Sequence, residues 1–218
     1  EYLQGSDEGT ADDIAVGSVL EVVLDEDNQA VSVTVRNLNA GGGFGGSGEV
    51  TNGTSANTIT KDTEVDSETY TSTGDDENAL RVDGATVTLK DITIEKTAGS
   101  SSNTEDGDFY GLNAGLLVLN GATATITGAT VNTSVTNGNG VFSYGEGTVV
   151  NISDSTIRTT ENNSGGIQTT GGGTMTATNL VVETQGNSAA AIRSDRGGGT
   201  VNVDGGSYVT NGTGSPAI

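Results

Sequence analysis

The 218-residue sequence contains no cysteine, no histidine and no tryptophan, and it has one proline, Pro216. Without cysteine the chain can form no disulfide and offers no thiol for chemistry. Without histidine, ordinary zinc sites and histidine-based acid–base catalysis are excluded together. No apolar run approaches the roughly 20 residues of a membrane-spanning helix, so we predict no membrane insertion. No secretory signal is visible either, so a secreted protein would be seen here in mature or trimmed form.

Basic residues are also scarce, since 8 Lys and Arg stand against 29 Asp and Glu for a net charge of −21. Nucleic acids and anionic membranes bind proteins through basic side chains that replace counterions. We therefore predict neither as a partner. The acidic excess is compatible with divalent cations or simply with a solvated surface.

Apolar residues make up only 32% of the chain and aromatic residues 4%, whereas glycine occurs 35 times. In a compact globule this composition would indicate disorder. A repeat protein needs fewer apolar residues, because each repeat buries a few inward side chains and its neighbours cover the rest.

One short theme recurs about every 25 residues between positions 79 and 218, most plainly as Gly-Thr-Val-Val-Asn-Ile (147–152) and Gly-Thr-Val-Asn-Val-Asp (199–204). Three apolar columns keep the same intervals of 37, 26, 25 and 26 residues. The columns are Val87, Ala124, Val150, Met175 and Val201; Leu89, Ile126, Ile152, Ala177 and Val203; and Ile94, Val131, Ile157, Val182 and Tyr208. Apolar residues at alternate positions, flanked by Thr and Asn, are typical of strands with one inward face. The sequence therefore predicts a solenoid of stacked parallel strands.

The first part of the chain follows a different pattern. Two apolar runs, 19–24 and 31–35, flank an acidic turn at 25–28 and predict a β-hairpin. A lone hairpin is marginal in water, so we expect it to cap an end of the solenoid. We divide the chain into a flexible start (1–13), a small β element with a glycine-rich linker at 39–48 (14–48), and the solenoid (49–218), with regular coils from residue 79.

The coils resemble right-handed parallel β-helix repeat proteins of bacterial cell surfaces, which are described as adhesin-like. The resemblance covers residues 79–218 and lies in the Gly-Thr-Val-x-Val strands, the Asn/Gly loops, Asp-Phe-Tyr-Gly (108–111) and Ser-Asp-Arg-Gly-Gly-Gly (194–199). It implies an all-β, right-handed parallel β-helix at the cell surface or outside the cell, with a glycan or a cell-surface protein as partner. Pectate-lyase-like enzymes share this architecture, so the fold does not decide between an enzyme and a binding module.

The best place for a site is the one break in the repeat. The first interval is 37 rather than 26 residues, and the roughly 11 extra residues fall at 100–111. Insertions in solenoids form loops, often on the binding face. We predict ligand-binding roles for Asp108, Phe109 and Tyr110, together with Asp195 and Arg196. The two aromatic rings could stack on a sugar or hold the loop against the solenoid, and Asp195 with Arg196 could simply shape a turn.

Three carboxylates within the same insertion, Glu105, Asp106 and Asp108, could supply oxygen ligands to calcium, which takes 6–8 of them. Their spacing matches no known calcium loop, and a solvated acidic loop is the alternative. We predict no catalytic residues. One coil before Arg193 and Asp195 lie Gln168 and Thr170, so no carboxylate pair with the ~5–10 Å separation needed for glycoside hydrolysis forms between adjacent coils.

The last residues, 215–218, align with coil starts at 165–167 and 190–192. We expect the chain to continue with a further β-helix segment or to self-associate at Ile218, because an open solenoid end invites pairing. The leading hypothesis is a non-catalytic, adhesin-like surface module that binds a glycan or a protein. The alternatives are a polysaccharide lyase or glycoside hydrolase, and a structural or filament-forming subunit that assembles through open solenoid ends.

Overall fold

The computed structural model describes residues 2–4, 7–9, 19–24, 30–36 and 51–218. The chain divides into two compact units, Glu1–Val50 and Thr51–Ile218. Within the described ranges, no helix is long and apolar enough to cross a membrane.

The first unit is a four-stranded sheet in the order Asp7–Gly9, Tyr2–Gln4, Ala30–Arg36, Val19–Leu24. Its predicted hairpin is confirmed, since Val19–Leu24 runs antiparallel to Ala30–Arg36 with Val22 opposite Val33. The other two strands lie in the segment 1–13 that the sequence predicted to be flexible. The acidic turn at 25–28 and the glycine-rich segment at 39–48 lie outside the described residues, and the capping role of the hairpin stays a prediction.

The second unit is a parallel β-helix, as predicted, and consists of three six-stranded parallel sheets to which each coil adds one strand. Sheet A contains Thr58–Ile59, Leu80–Asp83, Leu116–Leu119, Val141–Tyr144, Ile167–Thr170 and Ile192–Ser194. Sheet B contains Thr63–Asp66, Thr86–Lys90, Thr123–Thr127, Val149–Ser153, Gly173–Thr178 and Gly199–Asp204. Sheet C contains Thr69–Ser72, Thr93–Lys96, Thr130–Thr133, Thr156–Thr159, Val181–Thr184 and Ser207–Thr210. A short additional pair joins Thr54–Ser55 to Glu77–Asn78.

The register of the sheets confirms the three apolar columns read from the sequence. In sheet B, Leu89 pairs with Ile126, which pairs with Ile152, and the column continues through Ala177 to Val203. The columns that begin at Val87 and Ile94 pair in the same way. The inward side chains of all three sheets form one core, and full burial of each large apolar side chain stabilises the fold by about 1.5–3 kcal/mol.

The turn between sheets B and C uses a left-handed backbone residue in every coil. These residues have φ between 50° and 70° and are Ser67, Asp91, Gly128, Asp154, Asn179 and Gly205. Gly, Asn and Asp adopt this conformation at the lowest cost. Many Asn and Gly residues of the loops are thereby explained as turn formers.

The corner after sheet C is closed by a column of threonines, of which Thr133, Thr159 and Thr184 are buried and Thr210 is partly buried. The hydroxyl of each donates to a carbonyl five residues later, which pairs Thr133 with Gly138, Thr159 with Ser164, Thr184 with Ala189 and Thr210 with Ser215. In the second coil the column holds Lys96, which is 0% exposed. Its Nζ donates to Gly74 O at 2.5 Å and to Ser72 Oγ at 3.2 Å, so this buried ammonium closes the same corner.

Candidate functional site

The insertion between the second and third coils forms a helix, α1 (Thr104–Tyr110), where the sequence predicted a loop. Asn103 caps its start, because the Asn103 side chain accepts from the backbone N–H groups of Glu105 and Asp106. Gly111 ends it with φ 74°, in the left-handed conformation usual after a helix. These are recognisable helix signals, but they enclose only 7 residues.

Helix α1 lies against the outer face of sheet A, which is apolar at this point. Leu117, Leu119, Phe142 and Ala114 form a second buried cluster there, with Tyr144 packed beside them. Tyr110 is 6% exposed and meets the Tyr144 ring edge-on, with 5.6 Å between the ring centroids. Tyr110 therefore holds the insertion against the solenoid, which is one of the two roles that the sequence left open for it.

Polar contacts fix the insertion across several coils. The donors come from successive parts of the solenoid: Asn139 Nδ2 to Gly107 O (3.1 Å), Asn137 Nδ2 to Asp108 Oδ1 (2.9 Å), Gln168 Nε2 to Asp108 O, and Thr170 Oγ1 to Phe109 O (2.6 Å). The insertion leaves the solenoid after the second coil and reaches side chains of the fifth. Its position is thus set by the fold and not by the neighbouring sequence.

At its far side the insertion meets the turn after the last strand of sheet A. Arg196 NH1 donates to Glu105 Oε2 at 3.0 Å, and its guanidinium carbon lies 3.9 Å from the centroid of the Phe109 ring. Arg193 donates to Asp195 Oδ2 through NH2 at 2.6 Å and through Nε at 2.8 Å. Arg193 NH1 also lies 3.9 Å from Asp108 Oδ2. We name the six side chains Glu105, Asp108, Phe109, Arg193, Asp195 and Arg196 the helix–turn cluster.

The structure therefore brings together four of the five side chains predicted to bind a ligand, namely Asp108, Phe109, Asp195 and Arg196. The fifth, Tyr110, lies buried beside them. Sequence reasoning missed the part played by Arg193, because coil offsets lead from it only to Gln168. The acidic partner comes instead from the insertion, which no coil offset relates to the turn.

Burial dominates the electrostatics of the insertion. The Asp108 side chain is 18% exposed, and burial raises its pKa to about 6, against the opposing effects of Arg193 and of the Asn137 hydrogen bond. Burial also raises the pKa of Asp106, and the charges of Asp76 and Glu105 add to the effect. Both carboxyl groups bind a proton more readily than an exposed carboxyl group does.

Hydrogen-bond acceptors outnumber donors around Asp108. Its Oδ1 accepts from Asn137, whereas among the described residues its Oδ2 has only the long contact with Arg193. Beneath it, Gln168 is 0% exposed, and its Oε1 has no donor among the described residues. Asn137 Oδ1 also has no donor among the described residues.

The three carboxylates proposed as calcium ligands have different neighbours. Glu105 pairs with Arg196, Asp108 accepts from Asn137, and Asp106 interacts with the backbone N–H of Thr51. In the part of the chain that the structure describes, no group of three or more acidic side chains is arranged to hold a metal ion. The calcium site at the insertion stays a prediction.

A cavity of about 920 Å³ opens beside Asp108 and Arg193. Its lining combines the polar residues Asn163, Ser188 and Ser194 with apolar residues of the last coil, including Ile192, Val201, Val203 and Ile218. Asp108 and Arg193 are the two members of the helix–turn cluster that line this cavity.

Comparisons with models of protein families, with curated proteins and with solved structures find no match. The chain is a parallel β-helix by its own strand register, and its function has to be argued from the helix–turn cluster.

Proposed function

We propose that this chain is a non-catalytic, adhesin-like module that works outside the cell and binds a glycan through the helix–turn cluster. One observation carries the proposal. Side chains from two distant segments, α1 and the turn at 194–199, meet at one partly exposed place beside a cavity. A few convergent polar groups at the edge of a cavity are the usual form of a small-ligand site.

Contacts within the cluster hold its side chains in place, which favours binding. Arg196 lies over the Phe109 ring and is held by Glu105, while Arg193 is held by two hydrogen bonds to Asp195. Side chains that are already fixed lose little conformational freedom when a ligand arrives. The parallel β-helix beneath them supplies a stiff support.

The cluster also remains accessible to a ligand. The side chains of Glu105, Asp195 and Arg196 are 64%, 37% and 34% exposed. A guanidinium carries five N–H donors and a carboxylate accepts through two oxygens, so the cluster can engage several sugar hydroxyls at once. A protein partner would need about 800 Å² of matching surface, whereas six side chains beside a cavity suit one or two sugar units.

Glycan-array binding with matched variants tests the proposal. Arg196→Ala removes both the Phe109 contact and the Glu105 pair, and we expect at least about tenfold weaker glycan binding. Arg158→Ala is the control, because Arg158 lies on sheet C, is 53% exposed and contacts Glu183 only at 3.9 Å. It should bind within about twofold of the unaltered chain.

Product analysis of the bound glycans separates the module from an enzyme. We expect every oligosaccharide to be recovered intact. Cleavage that Asp108→Asn abolishes would instead establish the lyase or hydrolase alternative, with Asp108 as its proton donor. Absence of glycan binding, or binding that Arg196→Ala leaves unchanged, would overturn the proposal.

A further inference from the structure

We infer that the glycan preferred by the helix–turn cluster carries a free primary amine, as in a glucosamine unit, and that its ammonium group binds at Asp108 Oδ2. This inference rests on the proposed glycan-binding function and concerns the same site. The inference follows from the charge pairing in the cluster, where some charged groups already have partners and others do not.

The positive charges of the cluster are already paired. Arg193 makes two short hydrogen bonds to Asp195, and Arg196 pairs with Glu105. Three carboxylates stand against two guanidinium groups, in a chain whose net charge is −21. A carboxylate or sulfate on a sugar would thus find no unpaired cation in the cluster, and the charge of the chain would repel it.

The cluster has a hydrogen-bond acceptor that lacks a donor in the described part of the chain. Asp108 Oδ2 lies 3.9 Å from Arg193 NH1, which is beyond hydrogen-bond distance. Gln168 is fully buried, and its Nε2 donates to the backbone carbonyl of Asp108 and not to the carboxylate. A partly buried carboxylate with so few donors around it is stabilised by an incoming cation.

An ammonium group meets this requirement better than the other groups of common sugars. It supplies three N–H donors and a positive charge, and a charge-assisted hydrogen bond is roughly twice as strong as a neutral one. An N-acetyl group removes the charge and adds another acceptor, and a neutral hydroxyl supplies a donor without charge. The expected order of affinity is therefore amino sugar, then neutral or acetylated sugar, then uronic acid.

The surroundings of Asp108 leave room for the rest of such a sugar. Asp108 borders the cavity together with Asn163, Ser188 and Ser194. Their amide and hydroxyl groups can pair with ring hydroxyls while the amine faces the carboxylate. The ligand class thus follows from the acceptor atom Asp108 Oδ2 and from the polar residues that line the cavity beside it.

Calorimetric titration with three hexasaccharides tests the inference: a fully deacetylated glucosamine hexamer, an N-acetylglucosamine hexamer and a galacturonic acid hexamer. The buffer should hold about 0.15 M salt, where the Debye length is about 8 Å and diffuse attraction to the acidic chain is screened. We expect the glucosamine hexamer to bind at least about tenfold more tightly than the acetylated one, and the galacturonic acid hexamer to bind least.

Two variants with the same change of charge separate the site from general attraction. Asp108→Asn should remove most of the preference for the amine, measured as the ratio of the affinity for the glucosamine hexamer to the affinity for the acetylated hexamer. Glu183→Gln, on exposed sheet C, should leave all three affinities unchanged. If Glu183→Gln weakens glucosamine binding as much as Asp108→Asn does, the preference is mere polyelectrolyte attraction and the inference is overturned.

Asp195→Asn provides a second variant that leaves the insertion in place. It frees Arg193 to pair with Asp108, so glucosamine binding should fall and galacturonic acid binding should rise. An unchanged order of affinity would contradict the inference. If the unaltered chain binds no glycan at all, both the proposed function and this inference fail. If it binds the acetylated or acidic hexamer best and Arg196→Ala abolishes that binding, only the preference for an amine fails.

Discussion

Arg196 donates to Glu105 at 3.0 Å across 91 residues of chain. The Phe109 ring lies beside this pair, with the Arg196 guanidinium carbon 3.9 Å from its centroid. Neither segment contains the site alone, because the insertion supplies Glu105 and Asp108 whereas the last coil supplies Arg193, Asp195 and Arg196. The helix–turn cluster therefore exists only when α1 is docked on sheet A.

Docking of α1 should depend on the absence of a side chain at Gly111. A Cβ there would lie 2.7 Å from Leu117 Cδ1 and 3.3 Å from Phe142 Cγ, in a backbone with φ 74°. Gly121 has the same φ and nothing within 4 Å of the corresponding Cβ. In urea unfolding, Gly121→Ala should lower the free energy of unfolding by ~1–2 kcal/mol, and Gly111→Ala by ~1–3 kcal/mol more. Equal losses would show that the contact with sheet A does not constrain Gly111.

The buried threonine column should contribute measurably to stability. Thr184 is 0% exposed and its hydroxyl donates to Ala189 O at 2.6 Å. Thr184→Val leaves that carbonyl without this donor and should cost ~1–3 kcal/mol. Thr178→Val, the same change at an exposed position of sheet B, should stay within ~0.5 kcal/mol. Thermal unfolding followed by circular dichroism measures both, and a neutral Thr184→Val would rule out a stabilising role for the column.

Lys96 should matter far more than an exposed lysine. Lys96→Ala removes the bonds to Gly74 and Ser72 and leaves a cavity, so we expect a loss of ~2–5 kcal/mol. Lys90 is the matched position, because its side chain is 59% exposed and its ion pairs with Asp66 and Asp91 span 3.6 and 3.8 Å. Lys90→Ala should cost at most ~1 kcal/mol. Similar unfolding midpoints for the two variants in urea would contradict the structural role of Lys96.

Asp108 should make stability fall as pH rises. Burial raises its folded pKa to about 6, above an unfolded value near 4. A carboxyl group shifted upwards stabilises the fold below its unfolded pKa, and this stabilisation is lost as pH rises through the folded pKa. Arg193 opposes the shift, whereas Asp195 and Glu105 reinforce it. The contribution of this group between pH 4 and pH 7 is up to ~3 kcal/mol.

Urea unfolding at several pH values measures this effect, as the difference in the free energy of unfolding between Asp108→Asn and the unaltered chain. Because the amide does not titrate, the variant should gain stability relative to the unaltered chain as pH rises from 4 to 7. Glu183→Gln serves as the control for a lost negative charge. A difference that is constant with pH would show that Asp108 titrates as an exposed carboxyl group does.

The solenoid could be predicted from the sequence because its pattern of apolar and polar residues is local and repeated. Alternation of apolar and polar residues fixes which side chains point inward, and constant intervals fix the register between coils. Leu89 and Ile126 could therefore be paired from sequence although 37 positions separate them. The hairpin at Val19–Leu24 was predictable for the same reason.

The docking of α1 was not predictable in the same way, since nothing periodic relates an insertion to the surface on which it folds. A signal was nevertheless present. Leu117 follows the inward Leu116, and Phe142 follows the inward Val141, so two neighbouring strands of sheet A are apolar on both faces. Such strands need a cover, and the only unassigned segment nearby was the insertion. For the candidate site, this explains why the regions of Asp108 and Arg196 could be singled out from the sequence, whereas the contact between Glu105 and Arg196 could not be foreseen.

The path of the insertion changes how this β-helix should lose its structure. In a solenoid each coil contacts only its neighbours, so coils can separate one after another from either end. Here the contacts of Asn137, Gln168, Thr170 and Arg196 with the insertion tie the third to sixth coils to a segment that leaves the second. Fraying of the last coil must break the contact of Arg196 with Glu105 as well as its own strand pairs. Unfolding of these coils should therefore be more cooperative than nearest-neighbour stacking alone would allow.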